Sequence, residues 1–199
     1  MTPTSFEELR ARIHRAEIIA RRADSVGYQK NQTLADGSKH QYQISGIKSP
    51  EQFEDDLLTL FVWVWSLKDY LKELYKSMGL DPRLVEEMAN NCTALKYVSD
   101  VANKAKHGIL QQSRSGQFAE LVNVGHSVPQ AAISKITFSA FNVEIDVSKA
   151  DQVLLHAFVK PRGGEPIDAF EVLAQAMLTW ETKVIPSTRV QADAASRPL

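Results

Sequence analysis

The run LLTLFVWVWSL, Leu57 to Leu67, constrains this chain more than any other stretch. Wound into a helix it is apolar on almost every side, so it must be packed from several directions. At 11 residues it is too short to span a bilayer, and it predicts a central helix of a water-exposed fold. The helix starts at SPEQ, where Ser49 serves as N-cap, Pro50 fits the first turn and Gln52 closes a capping box. It runs to about Met78, with Gly79 as the stop. Leu57, Leu60, Phe61, Val64, Leu67, Leu71 and Leu74 mark its deepest side. Trp63 and Trp65 lie outside that side and predict core or a dimer interface, ahead of the lining of a ligand pocket.

The flanking segments supply the layers such a helix needs. Ser5 and Glu8 form a capping box, and Phe6, Leu9, Ile13, Ala16, Ala20 and Ala23 recur at helical spacing. Arg10, Arg12, Arg15, Arg21 and Arg22 read as a solvated face diluted by glutamates, or as a basic patch for phosphates. DPRLVEEMANN opens a short helix at Asp81. Another follows from Cys92 or Thr93 to His107, with Leu95, Val98, Ala102, Ala105 and Ile109 as its core stripe and Gly108 as its stop. Phe170, Leu173, Met177, Trp180 and Val184 mark a last helix.

Between these helices the rhythm changes. Residues 25–48 have no helical period and read as a long connection, with ADGS able to turn a small hairpin. ITFSAFNVEIDV (136–147) alternates as a strand whose phase slips at Ala140–Phe141, as at a β-bulge. QVLLHAFV (152–159) reads as a second strand and FAELVNV (118–124) as a third. The expected fold is mainly α with a small β-insertion. It is an antiparallel helical bundle over residues 1–185, with a two- or three-stranded antiparallel sheet inserted at about 118–160, before the last helix. Residues 186–199 are expected to form a flexible tail.

Composition removes several function classes. With a net charge of −1, any nucleic-acid contact must use a local patch. The single cysteine, Cys92, rules out an internal disulfide and cysteine-rich zinc sites, and its apolar flanks favour core over a thiol nucleophile. His14, His40, His107, His126 and His156 have no metal-ligand spacing, and no phosphate loop, dinucleotide fingerprint, zinc-protease motif or nucleophile elbow occurs. No metal, cofactor or membrane partner is expected. The N-terminus lacks the apolar segment of a secretory signal, so a reducing cytoplasm is the expected compartment.

The remaining candidate is SDVANKAKHGIL, 99–110. Lys96, Asp100, Asn103 and His107 fall on one line of a helix, opposite Leu95, Val98 and Ala102, and are expected to face outward. A histidine beside an amide, an acid and lysines suits acid–base catalysis near neutral pH, with Lys104 and Lys106 as phosphate contacts. A cationic His–Gly ending is equally what the helix dipole favours.

Helices that end in Asn-x-x-x-His resemble the HEPN superfamily of small α-helical domains. ANKAKH, Ala102 to His107, matches at Asn103 and His107, but Ala102 stands where the family has arginine. SDVANKAKHG is also similar to a D-x-A-N-x-x-K-H phrase of bacterial and phage proteins. The resemblance covers mainly 49–108 and implies a bundle dimer with the motif at its interface, in a defence or toxin–antitoxin setting. Many such proteins are metal-independent ribonucleases, in which arginine stabilises the charged phosphorane. Alanine cannot do so. Three readings follow. The first is a non-catalytic interaction module acting as a homodimer or with a partner protein. The second is a ribonuclease using His107 and Asn103 on RNA. The third is a scaffold in which NKAKHG only ends a helix.

Overall fold

The structure is a computed structural model that describes residues 5–184. The expected tail, 186–199, lies outside them. Among the described residues there are five α-helices and seven strands in two sheets. In chain order these are α1 (Phe6–Arg21), β1 (Asp24–Thr33), β2 (Lys39–Ile47), α2 (Pro50–Ser77), α3 (Arg83–Asn90), α4 (Thr93–His107), β3 (Glu120–Ser127), β4 (Ile133–Phe138), β5 (Asn142–Val147), β6 (Leu154–Lys160), β7 (Ile167–Asp168) and α5 (Ala169–Thr179). The strand orders are β1-β2-β5-β4 and β3-β6-β7.

The expectation of a helical bundle with a small insertion is therefore overturned. The β component is substantial, and the four-stranded sheet is mixed, because β2 pairs parallel with β5. Two strands of that sheet come from 25–48, the segment read as a long connection. Its strands escape a pattern search because Gln29, Asn31, Gln41 and Gln43 alternate with a face that is itself partly polar. Parallel pairing of Gln41 with Asn142 leaves no local trace at all. The phase slip at Ala140–Phe141 is a hairpin turn between β4 and β5, where Ser139 N–H donates to Asn142 O (2.8 Å). That turn returns Ile136 opposite Ile145 and Phe138 opposite Val143 on one face, which a bulge would not do.

The described residues divide into two compact units, one of 5–17, 57–122 and 157–184, the other of 18–56 and 123–156. In the first, α2 is the spine. Its Leu57, Leu60, Phe61, Val64, Leu67 and Leu71 are buried, as are Leu95, Val98 and Ala102 of α4 and Val172 and Ala176 of α5. Trp180 follows α5, is fully buried and donates its indole N–H to Val64 O (3.1 Å), satisfying the one polar atom that burial of a tryptophan leaves exposed to cost. Asp168 caps α5 by accepting from Phe170 N–H (2.9 Å) and Glu171 N–H (3.0 Å).

In the second unit the sheet rows Tyr28–Ile44–Ile145–Ile136 and Lys30–Tyr42–Val143–Phe138 share one face. Tyr28, Ile44 and Ile145 pack on a core of Ala23, Ile47, Ala132, Val147 and Val153. Gly46 has φ +89°, and a Cβ there would meet Val147 O at 2.1 Å, so only glycine allows this approach of backbones. Lys48 is 3% exposed, yet its ammonium is satisfied by Ile19 O (2.9 Å) and Asp56 Oδ2 (2.7 Å).

Candidate functional site

Helix α4 changes character along its length. Ala94, Leu95 and every residue from Tyr97 to Ala102 are buried, whereas Lys104 to His107 are exposed. Two expected core positions, Ala105 and Ile109, are exposed, because the apolar stripe has nothing to pack on past Ala102. Gly108 closes the helix with φ +73°, its N–H donating to Lys104 O (2.8 Å).

The expected outward line Lys96–Asp100–Asn103–His107 is broken at Asp100, which has no exposed surface. The segment after the helix folds over this side. Asp100 Oδ1 accepts Arg114 N–H (2.8 Å). Oδ2 accepts Ser113 Oγ–H (2.6 Å), Ser115 Oγ–H (2.5 Å) and Ala119 N–H (3.2 Å). Each hydroxyl then accepts a further amide, Ser113 Oγ from Phe118 N–H (3.0 Å) and Ser115 Oγ from Gln117 N–H (2.9 Å). One carboxylate thus fixes the path of 113–119 in two layers of bonds. With no exposed surface and every one of these four donors drawn from 113–119, the carboxylate serves that segment and not His107.

Lys96 is half-buried, and Asn103 Nδ2 donates to Ser99 Oγ (3.4 Å), a bond within the helix. His107 is exposed, with no hydrogen-bond partner among the described residues. The depression beside it is lined by Asn103, His107, Ile109, Leu110, Gln111 and Gln112, and no charged side chain lines it among the described residues. Ala102, at the family's arginine position, is fully buried. Of the arginines on α1, Arg10 pairs with Glu181 (2.6 Å) and Arg12 with Glu8 (2.9 Å). Lys104 pairs with Glu120 (2.5 Å), and Lys106 is exposed.

Trp65 is buried within its unit, and Trp63 is half-buried. Above the Trp65 ring lie Lys68 Nζ (4.6 Å) and the Arg114 guanidinium carbon (4.8 Å). Both cations also hold Glu86, Lys68 at 3.0 Å and Arg114 at 2.9 Å, with Lys72 as a third partner. Burial pushes the Glu86 carboxyl up, but the bonds from Lys72, Lys68 and Arg114 outweigh it and bring it down to about 2.

A polar cluster in the second unit went unread in the sequence. Tyr28 Oη and His126 Nε2 lie 3.2 Å apart, and His126 Nδ1 is buried without a partner among the described residues. Burial lowers the His126 pKa, the charge of His156 lowers it further, and Glu51 opposes both. Only the β3–β6 adjacency brings His126 and His156 near each other, and no spacing along the chain announces it. Among the described residues no group of three His, Cys, Asp or Glu side chains could hold a metal ion, and no helix is long and apolar enough to cross a membrane.

No known family, curated protein or solved structure matches this chain.

Proposed function

We propose that this chain is a non-catalytic interaction module that acts through the exposed end of α4, as a homodimer or with a partner protein. The observation that carries the reading is the use made of Asp100. A general base needs an orienting partner, and phosphoryl chemistry needs a cation on the developing charge. The only carboxylate on the candidate line is engaged in holding 113–119, and among the described residues no cation lines the depression at His107. An arginine in place of Ala102 would carry its charge into a fully buried position. Self-association through this end would use Ile109, an apolar side chain 74% exposed just past α4.

The test is incubation of the purified chain and its His107→Ala variant with labelled single-stranded RNA in the presence of chelator, alongside light scattering. The expected result is no cleavage by either protein and a mass above that of one chain. Metal-free cleavage by the parent that is lost in His107→Ala overturns the reading. A monomer at micromolar concentration removes the homodimer form and leaves the partner-protein form.

A further inference from the structure

The loop that Asp100 organises forms one wall of a cavity of about 480 Å3 in the first unit, a size suited to a small organic ligand. Three cations line it, Lys104, Lys160 and Arg162, against a single carboxylate, Glu120. Glu120 is held by Lys104 in a pair whose side chains are 45% and 48% exposed, a pairing that costs little to open. Lys160 and Arg162 have no carboxylate partner among the described residues.

The wall itself is unusual in its backbone. Phe118 has φ +46°, a left-handed conformation that a bulky residue rarely adopts, and it persists only where surroundings over-determine it. Here they do. Phe118 N–H is tied to Ser113 Oγ, and the next amide, Ala119 N–H, to the buried Asp100. The result places the Phe118 ring 4.7 Å from the Arg162 guanidinium carbon, while Arg162 N–H donates to Gln117 O (2.6 Å). Stacked on the ring, the guanidinium is pinned by its face and keeps its N–H fork for an oxyanion.

We infer that this cavity binds a phosphate monoester carried on a compact apolar or aromatic body. The excess of two positive charges matches a phosphate monoester, which carries close to two negative charges near neutral pH, better than a single carboxylate. Leu110, Phe118 and Pro161 supply the apolar wall for the body. The inference rests on reading the end of α4 as a binding rather than a catalytic surface. The monoester is that of a free nucleotide or sugar phosphate, or of a nucleic-acid terminus, and the assay separates the two sources.

The experiment is calorimetric titration of the full chain at low salt with uridine 5′-monophosphate, uridine, and oligouridine with and without a 5′-phosphate. A 5′-phosphorylated ligand is expected to bind roughly tenfold or more tightly than its unphosphorylated form. Preference for the mononucleotide assigns a free metabolite, and preference for the phosphorylated oligonucleotide assigns a chain terminus. Arg162→Ala and Lys160→Ala, both at exposed side chains, should each weaken binding several-fold at unchanged melting temperature. Glu120→Gln should tighten it by releasing Lys104. Uridine binding as well as its monophosphate, or affinity unchanged in the Lys160→Ala/Arg162→Ala double variant, overturns the inference. So does absence of binding by any phosphorylated ligand at millimolar concentration. RNA cleavage by the parent would sink the binding-module reading while leaving these affinities to stand, so the two failures are distinguishable.

Discussion

Two carboxylates in the first unit, the buried Asp100 and the half-buried Glu86, both hold segments together, by opposite means. Asp100 is surrounded by neutral donors, two hydroxyls and two amides. Glu86 is surrounded by Lys68, Lys72 and Arg114. Neutral donors are short and fixed to the backbone, so they dictate a loop conformation. Long cationic side chains satisfy charge without dictating a path, and here they also cover Trp65. The loop held by neutral donors is the one that carries the strained Phe118 and the candidate binding wall. Arg114 joins the two sites. Its amide serves Asp100 and its guanidinium serves Glu86.

The comparison breaks most sharply at Asp100. Asp100→Ala removes the acceptor of two amides, one of them the buried Ala119 N–H, and of two hydroxyls, and should cost about 3 kcal/mol, read by chemical denaturation. Glu86→Gln keeps the shape and one acceptor oxygen but removes the charge that pairs three partly exposed cations, and should cost about 2 kcal/mol. Equal costs for the two variants would erase the distinction drawn between them. The pH dependence sharpens it further. The Glu86 carboxyl is depressed to about 2 from an ordinary 4.5, so its contribution is fully present above pH 4.5 and is lost as pH falls toward 2. The acid limb of the stability profile should therefore flatten in Glu86→Gln. His107→Ala lies outside both sites and should change stability by less than about 0.5 kcal/mol, the size of a terminal dipole effect. A larger loss would mean that His107 ends the helix in earnest.

Much of the helical frame is legible in the sequence, because a buried helix writes its period locally. Ser49 accepts Gln52 N–H (3.1 Å) as its capping pattern implies, and Leu95, Val98 and Ala102 form the covered side of α4. The strands are less legible. The slip at Ala140–Phe141 is visible, but bulge and tight hairpin share that signature, and only the register of Ile136 with Ile145 separates them. Asp100 departs from its helical pattern for a physical reason. Helical geometry says which residues lie opposite the apolar stripe, and it does not say whether a later segment covers them. Ser113-x-Ser115, two short donors after a helix stop, was the available signal. Arg162 and His156 lay beyond any local pattern, since chain folding alone brings them to Phe118 and His126.

The claim on which the rest depends is that Asp100 is spent on the path of residues 113–119 and not on chemistry at His107. Amide hydrogen exchange of Asp100→Asn against the parent tests it most directly. The amide side chain keeps the size of the carboxylate but loses half its acceptor capacity. The expected result is faster exchange confined to 113–119, greatest at Arg114 and Ala119, with the amides of α2 and α5 still protected. Unchanged exchange across 113–119 in a folded Asp100→Asn protein would contradict the account.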